Sequence, residues 1–267
     1  MRPFSFPRAN PPMLDRLDIR RRSRAAGIHL LISAAVAALA AALVFGVWYP
    51  GAYRLLAGGR DLFLLVTSVD VVLGPLLTFT VFNLKKGWPH LRRDLAIIGA
   101  IQLLALAYGL HAVYDARPVA MVFEVDRFRV IAANQVLASE LETASPEYRA
   151  LPLSGPWLLG TRKAKGLDES NDALFMGAQG IDLAQRPSFW QPYVASTAAA
   201  LSHSRPLALL LATYPTHSAA IKNRLREQGV DERTASFLPV MARGGDWVVI
   251  LDNAGRLMHY VPVDGFF

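Results

Sequence analysis

Three apolar runs set the pattern of the first half of the chain. Residues 25–48 hold 24 positions without a charge, residues 62–84 hold 23 with Asp70 as the single charge, and residues 95–114 hold 20 with none. A helix needs about 20 apolar residues to cross the hydrocarbon core of a bilayer. Each run is long enough, and in lipid each must be helical to satisfy its own backbone. The pattern therefore predicts a three-helix transmembrane module over 25–114, with spans at 25–48, 62–84 and 95–114. Three helices buried in a large soluble core are the competing reading. The arginines and aromatics that flank every run argue against it.

The second half has a different rhythm. Residues 118–125 and 127–132 are rich in β-branched and aromatic positions and predict two strands around a tight turn at Asp126. Residues 134–143 have helical spacing with Asn134 as a cap, 157–161 predict a short strand, and 170–177 a helix. Apolar helical segments follow at 193–203 and 206–214, then a clearer helix at 216–228 with Thr216 as cap and Gly229 as stop. The run 207–212 is too short before Pro215 to be a fourth span. Residues 247–251 and 257–261 flank Asp252-Asn253-Ala254-Gly255 and predict a hairpin, with 237–242 as a third antiparallel strand. The expected fold is an α-helical three-span membrane bundle followed by an α+β periplasmic domain, 115–267, with an antiparallel sheet and helices on one side.

Charge sets the expected orientation. Residues 1–114 carry a net +8 and residues 115–267 a net −1. Such a basic half would ordinarily point to nucleic acid, but here the basic residues flank apolar runs, which points to a membrane surface. Residues 1–24 form a basic leader with Arg16, Arg20, Arg21, Arg22 and Arg24, and 85–94 holds Lys85, Lys86, Arg92 and Arg93. The connection 49–61 holds only Arg54 and Arg60. The positive-inside bias puts the N-terminus and the 85–94 loop in the cytoplasm and the C-terminal domain on the far side. Trp48, Tyr49, Tyr53 and Tyr114 fit an aromatic belt there, and Trp88 fits the cytoplasmic face. The first span could be a signal peptide, but its length and bulky end favour a retained helix. The Pro- and Arg-rich residues 1–12 read as disordered, so the true start is either Met1 or Met13.

Composition removes several classes of function. The chain is 53% hydrophobic and has no cysteine, so disorder, a disulfide scaffold and a thiolate site are excluded. Histidines 203, 217 and 259 lack metal-binding spacing, and Gly-x-Ser-x-Gly and P-loop patterns are absent. The basic loop 162–166 reads as solvated surface. No catalytic set, metal or cofactor is expected.

Asp70 is the exception inside the membrane, lying roughly 12 Å below the outer end of its span. An ionised carboxylate at such a position costs about 2.5–3.5 kcal/mol and needs a reason. Gly74 and Pro75 follow it, one allowing close helix approach and the other removing a backbone donor. With Thr78 they form a candidate site that either docks another intramembrane segment or locks the bundle through Gln102, Tyr108 or His111. Trp157 and Trp190 are candidate contacts for a partner outside the membrane, although an apolar neighbourhood favours the core for both.

The stretch Val69-Asp70-Val71-Val72-Leu73-Gly74-Pro75-Leu76-Leu77-Thr78, with Phe82 and Lys85, resembles the type IV pilin accessory proteins of the TfpX/TfpZ family. The likeness continues through Arg117-Pro118-Val119 and Phe123-Glu124-Val125-Asp126-Arg127-Phe128. It extends more loosely to Gly155-Pro156-Trp157 and Trp190-Gln191-Pro192-Tyr193, covering about residues 13 to 267. The resemblance implies a bacterial inner-membrane protein that is a chaperone or assembly modulator of a cognate type IV pilin, with no catalytic residues. A membrane-anchored periplasmic sensor or binding module is the alternative, weakened by the shortness of the inner-side segments.

Overall fold

A computed structural model describes residues 16–83 and 87–267. The Met13 start, the 1–12 segment, Lys85 and Lys86 lie outside the described residues. Three long helices occupy the apolar runs: α1 (Arg16–Leu43), which passes into a π-helical turn at Val44–Trp48, α3 (Gly59–Val81) and α4 (Trp88–Asp115). A single helical turn, α2 (Tyr53–Leu56), lies between the first two. Segments Asp18–Trp48, Gly59–Val81 and Trp88–Asp115 are each long and apolar enough to cross a membrane. Helix assignment runs without a break through Pro75.

Contacts divide the chain into two units. One contains the described residues up to Ala40 and those within Leu64–Leu110; the other contains Ala41–Phe63 together with His111–Phe267. In the helical unit, α3 turns Thr67, Asp70, Gly74 and Thr78 to one side, because steps of three and four residues keep a helical face. Thr67, Gly74 and Thr78 are buried, whereas Leu65, Val72, Leu73 and Leu76 on other faces are exposed. This reverses the soluble pattern and suits a lipid surround, where small and polar residues mediate helix contact. Gly109 of α4 lets α3 come close: a Cβ there would stand 2.2 Å from Cγ1 of Val66.

The second unit is built on one sheet. Its strands are β1 (Pro118–Glu124), β2 (Arg127–Ala132), β3 (Trp157–Thr161), β4 (Trp190–Pro192), β5 (Arg205–Pro206), β6 (Ser236–Ala242), β7 (Gly245–Leu251) and β8 (Leu257–Val261). The order is β4-β3-β1-β2-β6-β7-β8, with β5 paired to β6. The helices are α5 (Leu167–Ala178), α6 (Thr197–His203), α7 (Leu207–Thr213) and α8 (Pro215–Glu227). The sheet is mixed, which corrects the antiparallel expectation. β1 pairs β3 in parallel and β2 pairs β6 in parallel. The local hairpins β1–β2, β6–β7 and β7–β8 are antiparallel, as adjacent runs with short turns must be. The parallel pairs join strands separated by long excursions, and no local pattern encodes those.

Strand β1 is buried along its whole length, as a strand covered on both faces must be. One core gathers Ala120, Val122, Ile131, Leu159, Tyr148 and Trp190. A second sets Leu207 and Leu210 of α7 and Ile221 and Leu225 of α8 against Phe237, Val248 and Ile250. The predicted helix at 134–143 is replaced by two 3₁₀ turns, Ala133–Gln135 and Ala138–Glu140, with Ala132 at the cap position. Gln135 accepts the Ala132 N–H through Oε1, and Leu137 donates its N–H to the carbonyl of Gln185, so these backbone groups are taken by non-helical partners. Helix α8 begins at Pro215, with Tyr214 and not Thr216 at the cap position.

The connection 49–58 is structural. Tyr49 is fully buried and donates its hydroxyl to the carbonyl of Val113, and Gly59 leaves room for its ring. Tyr53 packs beside Tyr260, and both hydroxyls approach the sulfur of Met121 on β1. The N–H of Gly244 donates to Leu56 O at 2.8 Å, and that of Gly155 to Val47 O at 3.0 Å. Tyr49 and Tyr53 therefore pack into protein. Burial pushes the Tyr49 hydroxyl up to about 12, against the opposing fields of Arg243 and Arg117. Trp48 stands edge-on to Tyr114.

Candidate functional site

The polar residues of the helical unit converge on a cavity of about 210 Å³ lined by His29, Ser33, Thr67, Asp70 and Gln102 among apolar neighbours. Each helix supplies part of it: α1 His29 and Ser33, α3 Thr67 and Asp70, and α4 Gln102. Gly74 makes the approach possible. A Cβ at that position would stand 2.2 Å from Nε2 of Gln102 and 2.9 Å from Nε2 of His29. With that room, Gln102 Nε2 donates to the main-chain carbonyl of Asp70 at 3.1 Å. On the other side, His29 Nδ1 and Thr78 Oγ1 are hydrogen-bonded at 2.5 Å. Arg22 of α1 donates to the carbonyls of Phe79 and Thr80 at the end of α3.

The carboxylate of Asp70 is placed differently from these partners. Gln102 reaches its carbonyl and not its side chain, and the carboxylate accepts no hydrogen bond among the described residues. Tyr108 is exposed, and His111 pairs with Asp115 at 3.4 Å. Gln102 Oε1 is also buried without a partner among the described residues. Neither acceptor is hydrogen-bonded among the described residues, although His29, Ser33 and Thr67 line the same cavity, and such groups are costly in an apolar medium. The arrangement suits a ligand or segment that brings a donor.

Asp70, Gly74 and Thr78 are thus brought to one face, and Pro75 lies beside Gly74 in the same helix. Trp157 and Trp190 lie together in the sheet unit, 6.3 Å apart and edge-on. Trp190 is buried and donates its indole N–H to Ala184 O at 2.8 Å, so it offers no surface to a partner; Trp157 is half-buried in the same core. The signal for His29 was present in the sequence. In antiparallel neighbours, a polar residue early in the first span lies level with one late in the second, and depth matching pairs His29 with Thr78. Among the described residues no group of three or more histidine or acidic side chains could hold a metal ion.

Comparison with known proteins separates the family from the finer reading. A "Fimbrial assembly protein, serogroup I" of Dichelobacter nodosus is 38% identical over 246 residues, covering 91% of this chain and 96% of that protein. The chain belongs to the fimbrial assembly protein family. The serogroup E1 protein of the same organism is 36% identical over the same shares of both chains. The protein of serogroups C1 and C2 is 44% identical over 122 residues, which is 46% of this chain and 93% of that one. The family model described as Fimbrial assembly protein FimB matches residues 17–58, that is α1, the π-helical turn and α2. No solved structure matches the chain. Membership supports a role in fimbrial assembly.

Proposed function

We propose that this fimbrial assembly protein is an inner-membrane accessory protein that acts on a cognate type IV pilin, docking the pilin's apolar helix at the Asp70 face of the bundle. Its N-terminus lies in the cytoplasm and its sheet domain in the periplasm. The observation that carries this reading is the carboxylate of Asp70, which accepts no hydrogen bond among the described residues and lines a cavity together with a second unpaired acceptor, Gln102 Oε1. A pilin has an apolar membrane helix and a globular head outside. A protein with an intramembrane acceptor site and an extramembrane domain can engage both parts. The likeness of the Val69–Thr78 stretch to pilin accessory proteins points the same way. The action is binding: the pilin is held ready for incorporation and no bond is made or broken.

The test combines crosslinking with a count of surface fimbriae. Asp70→Ala and Gly74→Leu, each in the full chain, should abolish crosslinks between α3 and the pilin helix and reduce fimbriation while the protein remains in the membrane. Normal crosslinks and normal fimbriation in both variants would remove the intramembrane site. Topology has its own check. A cysteine at position 253 should react with an impermeant reagent in spheroplasts, and one at position 88 should be protected.

A further inference from the structure

A second pocket, of about 330 Å³, lies in the sheet unit and is lined by Ala57, Ala116, Val130, Ala132, Asn134, Gln135 and Arg243. Its place in the chain is informative. Ala57 comes two residues before α3 begins, and Ala116 directly follows the end of α4. Where α3 and α4 cross a bilayer, groups within two residues of their ends lie at headgroup level.

The pocket carries a free cation held in place. Arg243 sits in the β6–β7 turn, and that turn is clamped to the connection before α3. Gly244 N–H donates to Leu56 O, and a Cβ on Gly244 would stand 2.0 Å from Leu55 O. The stem of Arg243 runs beside Gly58, within 3.8 Å of where a Cβ would lie. Its guanidinium makes no ion pair or hydrogen bond among the described residues, including none with Asp246 three positions on. The surrounding balance is also positive. Arg54 and Arg60 are exposed without ion pairs among the described residues. Arg117 is buried and satisfied by the carbonyls of Tyr114 and Pro152 and by the Tyr114 ring, with no carboxylate partner among the described residues. Of the acidic residues flanking these helix ends, Asp115 is engaged by His111. Asn134 adds an exposed amide to the pocket wall, and the Gln135 amide, whose Oε1 accepts the Ala132 N–H, keeps its NH2 as a donor.

We infer that this pocket binds the phosphate of an anionic phospholipid, with Arg243 as the charged contact and the amides of Asn134 and Gln135 as further donors. Guanidinium-to-phosphate hydrogen bonds are short and charge-assisted, and Arg243, Asn134 and Gln135 are all exposed and open to a headgroup. The inference rests on α3 and α4 crossing a membrane and is independent of the pilin reading.

The test uses the full chain purified in a neutral detergent, with mixed micelles containing phosphatidylglycerol, phosphatidylcholine or no added lipid, and a separate arm with inorganic phosphate. Phosphatidylglycerol should raise the thermal midpoint, because a ligand that binds only the folded state stabilises it by mass action. Arg243→Gln should require about tenfold more phosphatidylglycerol for the same rise, the loss expected for one charge-assisted hydrogen bond. Asn134→Asp, which adds a negative charge to the wall without touching Arg243, should lose the response as well. Lys163→Gln, an exposed cation in another loop, should respond like the parent. An equal rise with phosphatidylcholine, or an undiminished phosphatidylglycerol response in both pocket variants, would overturn the assignment. A rise reproduced by inorganic phosphate would give the site to a soluble anion and remove the lipid.

Discussion

In the sheet unit, buried charges are bound on several sides; in the helical unit, the one acidic group on the inner face of α3 is left open. Glu124 accepts from Ala184 N–H at 2.7 Å and from Arg129. Arg186 joins Glu140 and Asp172, at 2.6 Å each, and stacks over Phe189. Asp252 takes the N–H groups of Ala254 and Arg256 and the guanidinium of Arg256. Each holds a turn or excursion of the chain to the sheet. Asp70 holds nothing with its carboxylate among the described residues, although a charge in lipid costs more than one at a protein surface. Structural charges are recognised by their partners, and a costly charge without them is available for a partner from outside.

Substitutions in the two units should therefore have opposite profiles. The largest effect is expected at Arg186. Replacing it with Met strands Glu140 and Asp172 and should cost the sheet unit about 3–5 kcal/mol, read by denaturant unfolding followed through tryptophan fluorescence. Asp70→Asn should leave unfolding within about 0.5 kcal/mol of the parent while fimbriation falls. A loss of stability at Asp70 as large as that at Arg186 would erase the contrast.

Next in size is Gly244→Ala. Its Cβ would meet the carbonyl oxygens of Leu55 and Leu56, so the connection 49–58 should detach from the β6–β7 turn at a cost of about 1–3 kcal/mol. Faster proteolysis within 49–58, with the helices intact, is the expected readout. Resistance equal to that of the parent would show that the clamp is dispensable.

A smaller effect is expected from pH. Burial raises the Glu124 carboxyl above its ordinary value, against the Ala184 N–H and Arg129, which lower it. A raised carboxyl binds its proton more tightly in the folded state. Its contribution to stability is therefore full below the unfolded value near 4.5 and is lost as pH rises through the folded value. The thermal midpoint of the parent relative to Glu124→Gln should accordingly fall between pH 4.5 and neutrality. A difference that does not change with pH would mean that Glu124 titrates alike in both states.

The smallest effect is at the β1–β2 turn. Glu124 pairs with Arg127, leaving Val125 and Asp126 as the turn, and Val125 has φ of 54°. A β-branched residue is strained there, and the turn type favours glycine at its first position. Val125→Gly should stabilise the unit by up to about 1 kcal/mol in thermal unfolding, provided that relief of strain exceeds the added chain entropy.

Much of the layout was legible because it is local. Run length gave the three long helices, since a span is recognised from consecutive residues alone. Alternation and turn residues gave β7 and β8 around Asp252–Gly255, and β3 at 157–161. The Asp70-Gly74-Thr78 face followed from helical spacing. The failures were non-local. The 134–143 segment has helical spacing, but its Leu137 N–H goes to the Gln185 carbonyl and its Gln135 carbonyl accepts from the Gln185 side chain. Helix propensity is too weak to resist such contacts.

The sequence by itself determined which segments are helices long enough for a bilayer, where the hairpins turn, and that a single carboxylate lies within the second apolar run. These properties depend on neighbours within a few residues. Only the tertiary structure decided that β1 pairs β3 and β2 pairs β6 in parallel, that 49–58 belongs to the sheet unit, and that Gln102 takes the carbonyl of Asp70 and leaves its carboxylate open. Each of these is a competition among groups far apart in the chain. Packing and donor geometry resolve it, and neither is encoded in any one stretch of residues.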